Sequence, residues 1–141
     1  MVNYSRVVKL LEDYKEWKIE CFECIEEITN NKNEKIKKIL FHSMRAYFLD
    51  FHILCEDFIS ISLKELNKFK IGISAIEGME ILKDSSCISD DFFHFYFISR
   101  KLRNRLAHRY KLPKDEELLL NLNDNLKSIE ELESVIATLL K

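Results

Sequence analysis

Apolar residues recur at steps of three and four along most of this chain, with charged residues between them, and this spacing is typical of amphipathic helices. Polar turns interrupt the pattern at residues 29–33, at Gly72, around residues 84–86 and at Pro113, where the residue before proline avoids the α conformation. The pattern therefore predicts five helices: roughly 4–29, from 34 to near 69, 74–82, from near 89 to about 110, and from about 115 to 140.

The second predicted helix is long and apolar on more than one side. At about 1.5 Å per residue it would extend on the order of 50 Å. A helix of this kind lies at the centre of a bundle or contributes to an interface between copies of the chain. Its apolar residues are Ile39, Leu40, Met44, Tyr47, Phe48, Phe51, Ile53, Leu54, Phe58 and Ile59.

Composition supports an all-α fold. Only two Gly and one Pro occur in 141 residues, too few for a turn-rich β fold, whereas the helix formers Leu, Glu and Lys are abundant. This length and a hydrophobic content of 47% fit a single domain over residues 1–141. Charged residues interrupt the N-terminal segment every few positions, so we expect neither a signal peptide nor a membrane span, and a cytoplasmic protein with free thiols.

Charge is unevenly distributed. The net charge is −2, from 22 basic and 24 acidic residues, which argues against a general attraction to nucleic acid. The segment from Arg100 to Lys111 nevertheless contains no acidic residue. It predicts a local anion site in a mildly acidic protein. Its six basic residues are Arg100, Lys101, Arg103, Arg105, Arg109 and Lys111.

Within this segment, the stretch RNRLAHRY, residues 103–110, concentrates the candidate chemistry. If it is helical, Asn104 and His108 share a face because they are four residues apart. Arg103 and His108 lie five residues apart, about 140° around an ideal helix. They converge only if Arg103 uses its length or the last turn is distorted. Alternatively, two copies of the chain could close the site across a dimer axis.

An arginine and a histidine suit phosphodiester cleavage in RNA. A neutral imidazole can take the proton from a 2′-hydroxyl, and a guanidinium can bind the phosphate oxygens as negative charge develops there. Such a site needs no metal and excludes DNA, which lacks the nucleophile. The alternative interpretation is structural, because cations at the C-terminus of a helix also complement its dipole.

The pattern of an arginine, four intervening residues, a histidine, one intervening residue and a tyrosine resembles the motif of HEPN domains. The fuller string RNRLAHRY resembles the HepT branch of toxins. The order of helices around it agrees. The resemblance implies an up-and-down all-α bundle of about five helices that forms a homodimer with facing motifs. It also implies a metal-independent endoribonuclease toxin without a cofactor, neutralised by a nucleotidyltransferase antitoxin similar to MntA.

The resemblance also implies roles for individual residues. Arg103 would stabilise the scissile phosphate, His108 would be the general acid and base, and Asn104 would orient one of them. Tyr110 matches the tyrosine that the antitoxin modifies with AMP, although the linker over residues 111–115 departs from that of typical members. Asp57 matches an acidic position in the second helix and either supports the site or is a surface carboxylate. The remaining candidates, for substrate binding, are Arg100, Arg105 and Arg109.

Other chemistry-bearing residues favour structural interpretations. Cys21 and Cys24 lack a second pair of ligands, so we expect buried cysteines rather than a zinc site. The aromatic run over residues 92–97 predicts a core or dimer interface. Packing or surface positions are expected for His42, His52 and His94, and a solvated helix start for Lys32, Lys35, Lys37 and Lys38.

Two functions without catalysis stay open at this point. The chain could be a non-catalytic HEPN module that binds nucleotides or proteins, or a purely structural helical partner of a nucleotidyltransferase. RNA cleavage that depends on His108 distinguishes the ribonuclease from both.

Overall fold

A computed structural model describes residues 3–141 of the chain. This part of the chain contains six α-helices, one short 3₁₀ helix and no strand, so the predicted all-α class is confirmed. The helices are α1 (Tyr4–Asn30), α2 (Glu34–Glu65), α3 (Ala75–Asp84), α4 (Asp90–Arg105), the 3₁₀ helix (Arg109–Lys111), α5 (Asp115–Asn123) and α6 (Leu126–Thr138).

The long helix α2 is the centre of the bundle, and α1, α3, α4 and α5 all pack against it. It begins after Asn33, whose side chain accepts hydrogen bonds from the backbone N–H groups of Lys35 and Ile36. The first N–H groups of a helix have no partner within the helix, so this cap stabilises its start. Its buried face carries the large side chains Phe48, Phe51 and Phe58. The apolar residues on more than one side of α2 are thus largely explained by neighbours on several sides.

Aromatic side chains join the helices in the core. The Phe51 ring lies with its centroid 5.0 Å from Trp17 of α1 and 5.8 Å from Phe95 of α4. Two buried aromatic residues of α1 also have polar partners: the Tyr14 hydroxyl donates to the Ile129 carbonyl at 2.6 Å, and the Trp17 Nε1–H donates to the Tyr47 carbonyl at 2.7 Å. Phe92, Phe95 and Tyr96 of the aromatic run are buried, which confirms its predicted core role.

The predicted end of α2 near Phe69 was wrong, because the helix ends at Glu65. Asn67 adopts a left-handed conformation with φ of 57°, and the Lys68 N–H donates to the Leu63 carbonyl at 2.8 Å. This is a Schellman end, in which asparagine tolerates the conformation that usually favours glycine. Residues 66–74 consequently form a loop, here called the α2–α3 loop.

The predicted last helix is in fact two. α5 ends at Asn123, and α6 begins at Leu126 after Asn125, whose backbone leaves the helical region at φ −125° and ψ 34°. The Asn125 side chain donates to the Asn121 carbonyl at 2.7 Å. Asparagine competes in this way for backbone partners and disfavours helix interiors.

The cysteines behave as the sequence predicts. Cys21, Cys24 and Cys55 are buried and none is in a disulfide. Burial raises the pKa of the Cys21 thiol to about 12, so it is inert as a thiolate nucleophile. From residue 3 onwards, no helix is long and apolar enough to cross a membrane.

Candidate active site

The segment over residues 103–110 lies at the C-terminal end of α4, but only its first three residues are α-helical. The helix ends at Arg105, a tight turn follows at Leu106 and Ala107, and His108 is extended with φ −120° and ψ 112°. The prediction of a helix to about Tyr110 was therefore wrong, as was the shared helix face of Asn104 and His108. His108 is carried by a loop, whereas Arg103 is held by the helix.

Arg105 braces this loop. Its Nε donates to the Lys111 carbonyl at 3.0 Å, and its terminal nitrogen lies 3.7 Å from a Glu117 carboxylate oxygen. Glu117 also accepts from the Lys114 N–H at 2.8 Å, and Pro113, the residue before Lys114, is buried. The chain is thus drawn back against the end of α4. Arg105, predicted to bind substrate, is engaged in holding the loop that carries His108.

Arg103 has a different environment from its two neighbouring arginines. It is half-buried, and its guanidinium makes one long contact, 3.5 Å to the side-chain oxygen of Asn104. Within residues 3–141, no carboxylate lies within 4.0 Å of it, whereas Arg100 and Arg105 each have a carboxylate partner. The fork of donors on Arg103 is therefore available to an anion.

His108 and Tyr110 lie side by side on the loop surface. Their ring centroids are 6.2 Å apart, and both side chains are exposed, Tyr110 by 83%. The Lys111 ammonium lies 5.8 Å from the Tyr110 ring, and Arg109 between the two rings in sequence is also exposed. An imidazole, a phenol and cations are thus accessible together from solvent.

The acidic group nearest the basic segment is Glu56 rather than Asp57. A Glu56 carboxylate oxygen lies 2.8 Å from an Arg100 guanidinium nitrogen, and the Arg100 side chain is only 13% exposed. Asp57 is one residue further along α2, about 100° around the helix. It faces α1, where it lines a surface depression with residues of that helix. Arg100 and Arg105 therefore have structural partners, whereas Asp57 is not among them.

A buried histidine, His52, lies near Arg100 and Arg103. His52 is 1% exposed, and its Nε2 shares a hydrogen bond of 2.8 Å with the hydroxyl of Ser99, the residue before Arg100. Burial, together with the charges of Arg100 and Arg103, lowers the pKa of His52 from 6.5 to about 3. The imidazole is therefore neutral, and its bond to Ser99 joins α2 to α4 next to Arg103.

Residues 19–136 match the model of a family described as ribonuclease HepT-like. The match runs from the middle of α1 almost to the end of α6 and includes the whole segment over residues 103–110. The chain belongs to the HepT-like ribonuclease family. No curated protein and no solved structure gives a significant match.

This result confirms the family resemblance that the motif indicated, and the family description supports a function of the ribonuclease type. Two contacts beside the motif were not predicted from the sequence: the ion pair of Glu56 with Arg100 and the hydrogen bond of His52 with Ser99. Glu56 lies four residues after His52 on α2, so both fall on one helix face, which was the available signal. That face could not be aligned with α4 without the tertiary structure.

We expect His52 to make stability depend on pH. Its pKa is lower in the folded chain than the ordinary 6.5, so the unfolded chain takes up the proton more readily, and stability falls as pH drops from about 6.5 towards 3. From pH 7 to 5.5, the wild-type protein should lose about 1 kcal/mol more unfolding free energy than His52→Gln. Urea unfolding at both pH values measures this difference.

The matched control is His94→Gln, which changes an exposed histidine of α4. It should retain the pH dependence of the wild type. Equal pH dependence of wild type and His52→Gln would show that His52 is not held neutral by burial.

Proposed function

We propose that this protein is a metal-independent endoribonuclease in which Arg103 and His108 act on the scissile phosphodiester. The proposal rests on the positions of Arg103 and His108 on either side of one tight turn: Arg103 has no carboxylate within 4.0 Å among residues 3–141, and the His108 imidazole is exposed. One group can bind an anion and the other can transfer a proton.

The reaction uses the 2′-hydroxyl of the substrate as nucleophile. His108 accepts its proton while the 2′-oxygen forms a bond to phosphorus, and the bond from phosphorus to the 5′-oxygen breaks. The leaving 5′-oxygen takes up a proton, which the imidazolium can supply. The products are a 2′,3′-cyclic phosphate and a 5′-hydroxyl. Arg103 stabilises the charge on the non-bridging oxygens, the role that a metal ion has in other nucleases.

A homodimer with facing motifs would give this site its second wall. In one chain, His108 and Tyr110 lie on open surface, and apolar side chains close to the motif in sequence are exposed, Ile98 by 44% and Leu112 by 51%. Covering such side chains favours association. Each protomer would then add one arginine and one histidine to a shared cleft.

The biological role that we propose is that of a toxin neutralised by a nucleotidyltransferase antitoxin similar to MntA. Transfer of AMP to the hydroxyl of Tyr110 would release pyrophosphate from ATP and place an anionic, bulky group beside His108. The 83% exposure of Tyr110 supports this role, because a modifying enzyme must reach the phenol. AMP would then exclude RNA by volume and by charge repulsion.

The function is tested with one oligonucleotide sequence made as RNA and as DNA. Purified protein is incubated with each, end-labelled, with EDTA present throughout. We expect cleavage of the RNA alone, with products that end in a 2′,3′-cyclic phosphate. Cleavage of the DNA as well, or products with a 3′-hydroxyl, would contradict the proposed chemistry.

A non-catalytic binding module is the second candidate, and one observation favours it. Arg100 and Arg105 are engaged with Glu56 and Glu117, which leaves Arg103 and Arg109 for an anion. Binding of the RNA without cleavage, by a protein whose intact mass shows no added AMP, would support this candidate over the ribonuclease.

A further inference from the structure

A pocket with a volume of about 360 Å³ opens between α2, the α2–α3 loop and the start of α3. It is here called the α2–α3 pocket. Its apolar wall includes Ile59, Phe69 and Ile73, and its polar residues include Glu56, Ser60 and Arg100. The pocket is next to the candidate active site, since Arg100 lies on α4 three residues before Arg103.

The lining combines a flat apolar surface with a polar edge. Phe69 is 41% exposed, and the ammonium of Lys64 lies 4.9 Å from the centroid of its ring. The ion pair of Glu56 and Arg100, which also belongs to the lining, provides carboxylate acceptors beside guanidinium donors. Unpaired bases bind to proteins in this manner, with the ring stacked on an aromatic side chain and the edge hydrogen-bonded.

We propose that the α2–α3 pocket binds an unpaired nucleobase of the RNA substrate, next to the scissile phosphate. This inference rests on the proposed ribonuclease function and adds to it a binding site for one base of the substrate, which must be unpaired. Bases in an A-form duplex are stacked and paired, and they could not enter the pocket without being extruded.

The spacing along α4 agrees with a single nucleotide that reaches both the α2–α3 pocket and Arg103. Arg100 and Arg103 are three residues apart, which is about 4.5 Å along the helix axis. A base in the pocket would contact Arg100 while the phosphate attached to the same or the neighbouring sugar contacts Arg103. Phosphate contacts position the strand, and the base contact selects what is cut.

The α2–α3 loop carries further cations that complement an RNA backbone. Lys68 and Lys70 lie on either side of Phe69 in this loop, Lys64 lies in the last turn of α2, and all three are exposed. Lys68 donates to the Ser85 hydroxyl at 3.0 Å, an uncharged partner that leaves its charge in place. An aromatic residue between lysines is the pattern of surfaces that bind single strands through stacking and phosphate contacts.

The test measures binding to a single-stranded RNA with 2′-O-methyl groups, which lacks the nucleophile and is not cut. Fluorescence anisotropy is recorded for the wild type, Phe69→Ala, Phe69→Tyr and Ile71→Ala. Ile71 is the matched control because it lies in the same loop, is 98% exposed and does not line the pocket. Thermal melting of each variant confirms that it is folded.

We expect Phe69→Ala to weaken binding roughly five- to hundredfold, the loss that accompanies removal of one stacking platform. Phe69→Tyr keeps the ring and should bind like the wild type, as should Ile71→Ala. A duplex of the same sequence should bind more weakly than the single strand. Equal affinities of wild type, Phe69→Ala and Ile71→Ala would overturn the inference, and so would absence of binding by the wild type.

The two proposals fail in different ways. Cleavage of ordinary RNA in EDTA by the wild type, combined with an affinity that does not depend on Phe69, would remove the nucleobase pocket and leave the ribonuclease intact. Phe69-dependent binding to the 2′-O-methyl RNA without any cleavage of ordinary RNA would remove the ribonuclease and leave the pocket.

Discussion

Replacement of His108 by alanine should slow RNA cleavage by about 10²- to 10⁴-fold, the usual contribution of a general acid and base. The exposed imidazole lies on the loop beyond α4, where its removal disturbs no packing. The free energy of unfolding should therefore be unchanged. Single-turnover cleavage of end-labelled RNA, measured with EDTA present, gives the rate of the chemical step directly.

His94→Ala is the matched control for this loss. It also removes an exposed histidine, but one near the start of α4, whereas His108 follows the end of that helix. Its rate should equal that of the wild type. If His108→Ala cut RNA as fast as His94→Ala, the proton transfer would belong to another group, and the assignment of His108 would be lost.

Arg103 should be the second position with a large effect. Arg103→Ala removes the donors that stabilise the developing charge on phosphate, and we expect the rate to fall by about 10²- to 10³-fold. Arg103→Lys keeps the charge but replaces a planar fork by a point charge, so it should restore only part of the rate. The same single-turnover assay measures both.

Lys101→Ala controls for the loss of one positive charge. Lys101 is exposed two residues earlier on α4, with its ammonium 4.5 Å from the Phe97 ring centroid. Its removal should change the rate little at moderate salt, where distant surface charges are screened. A loss equal to that of Arg103→Ala would mean that only the overall charge of this surface matters.

The single-turnover assay can also test the role of Arg105. Because its guanidinium contacts the Lys111 carbonyl and Glu117, we expect Arg105 to position His108 rather than to contact RNA. This distinction was not accessible from the sequence, where Arg105 is one of six basic residues in a run. Both partners come within reach only because the chain over residues 106–117 folds back against the end of α4.

Much of this protein follows from its sequence alone. The steps of three and four between apolar residues predicted the class of fold and the starts of the first four helices, because burial of one face requires that spacing. Asn33, Ser74 and Ser89 each precede a helix and accept a hydrogen bond from its first turn, as their residue types favour. The motif over residues 103–110 was sufficient to indicate the family.

Tertiary structure decided the remainder, because these features depend on contacts between residues distant in sequence. Nothing in RNRLAHRY prevents a helix, yet α4 ends at Arg105, where the loop bonds back to that arginine. Glu56 rather than Asp57 pairs with Arg100. The two carboxylates point about 100° apart around α2, so the packing of α2 against α4 determines which of them faces Arg100. His52 likewise looks unremarkable until Ser99, 47 residues later, is placed 2.8 Å away.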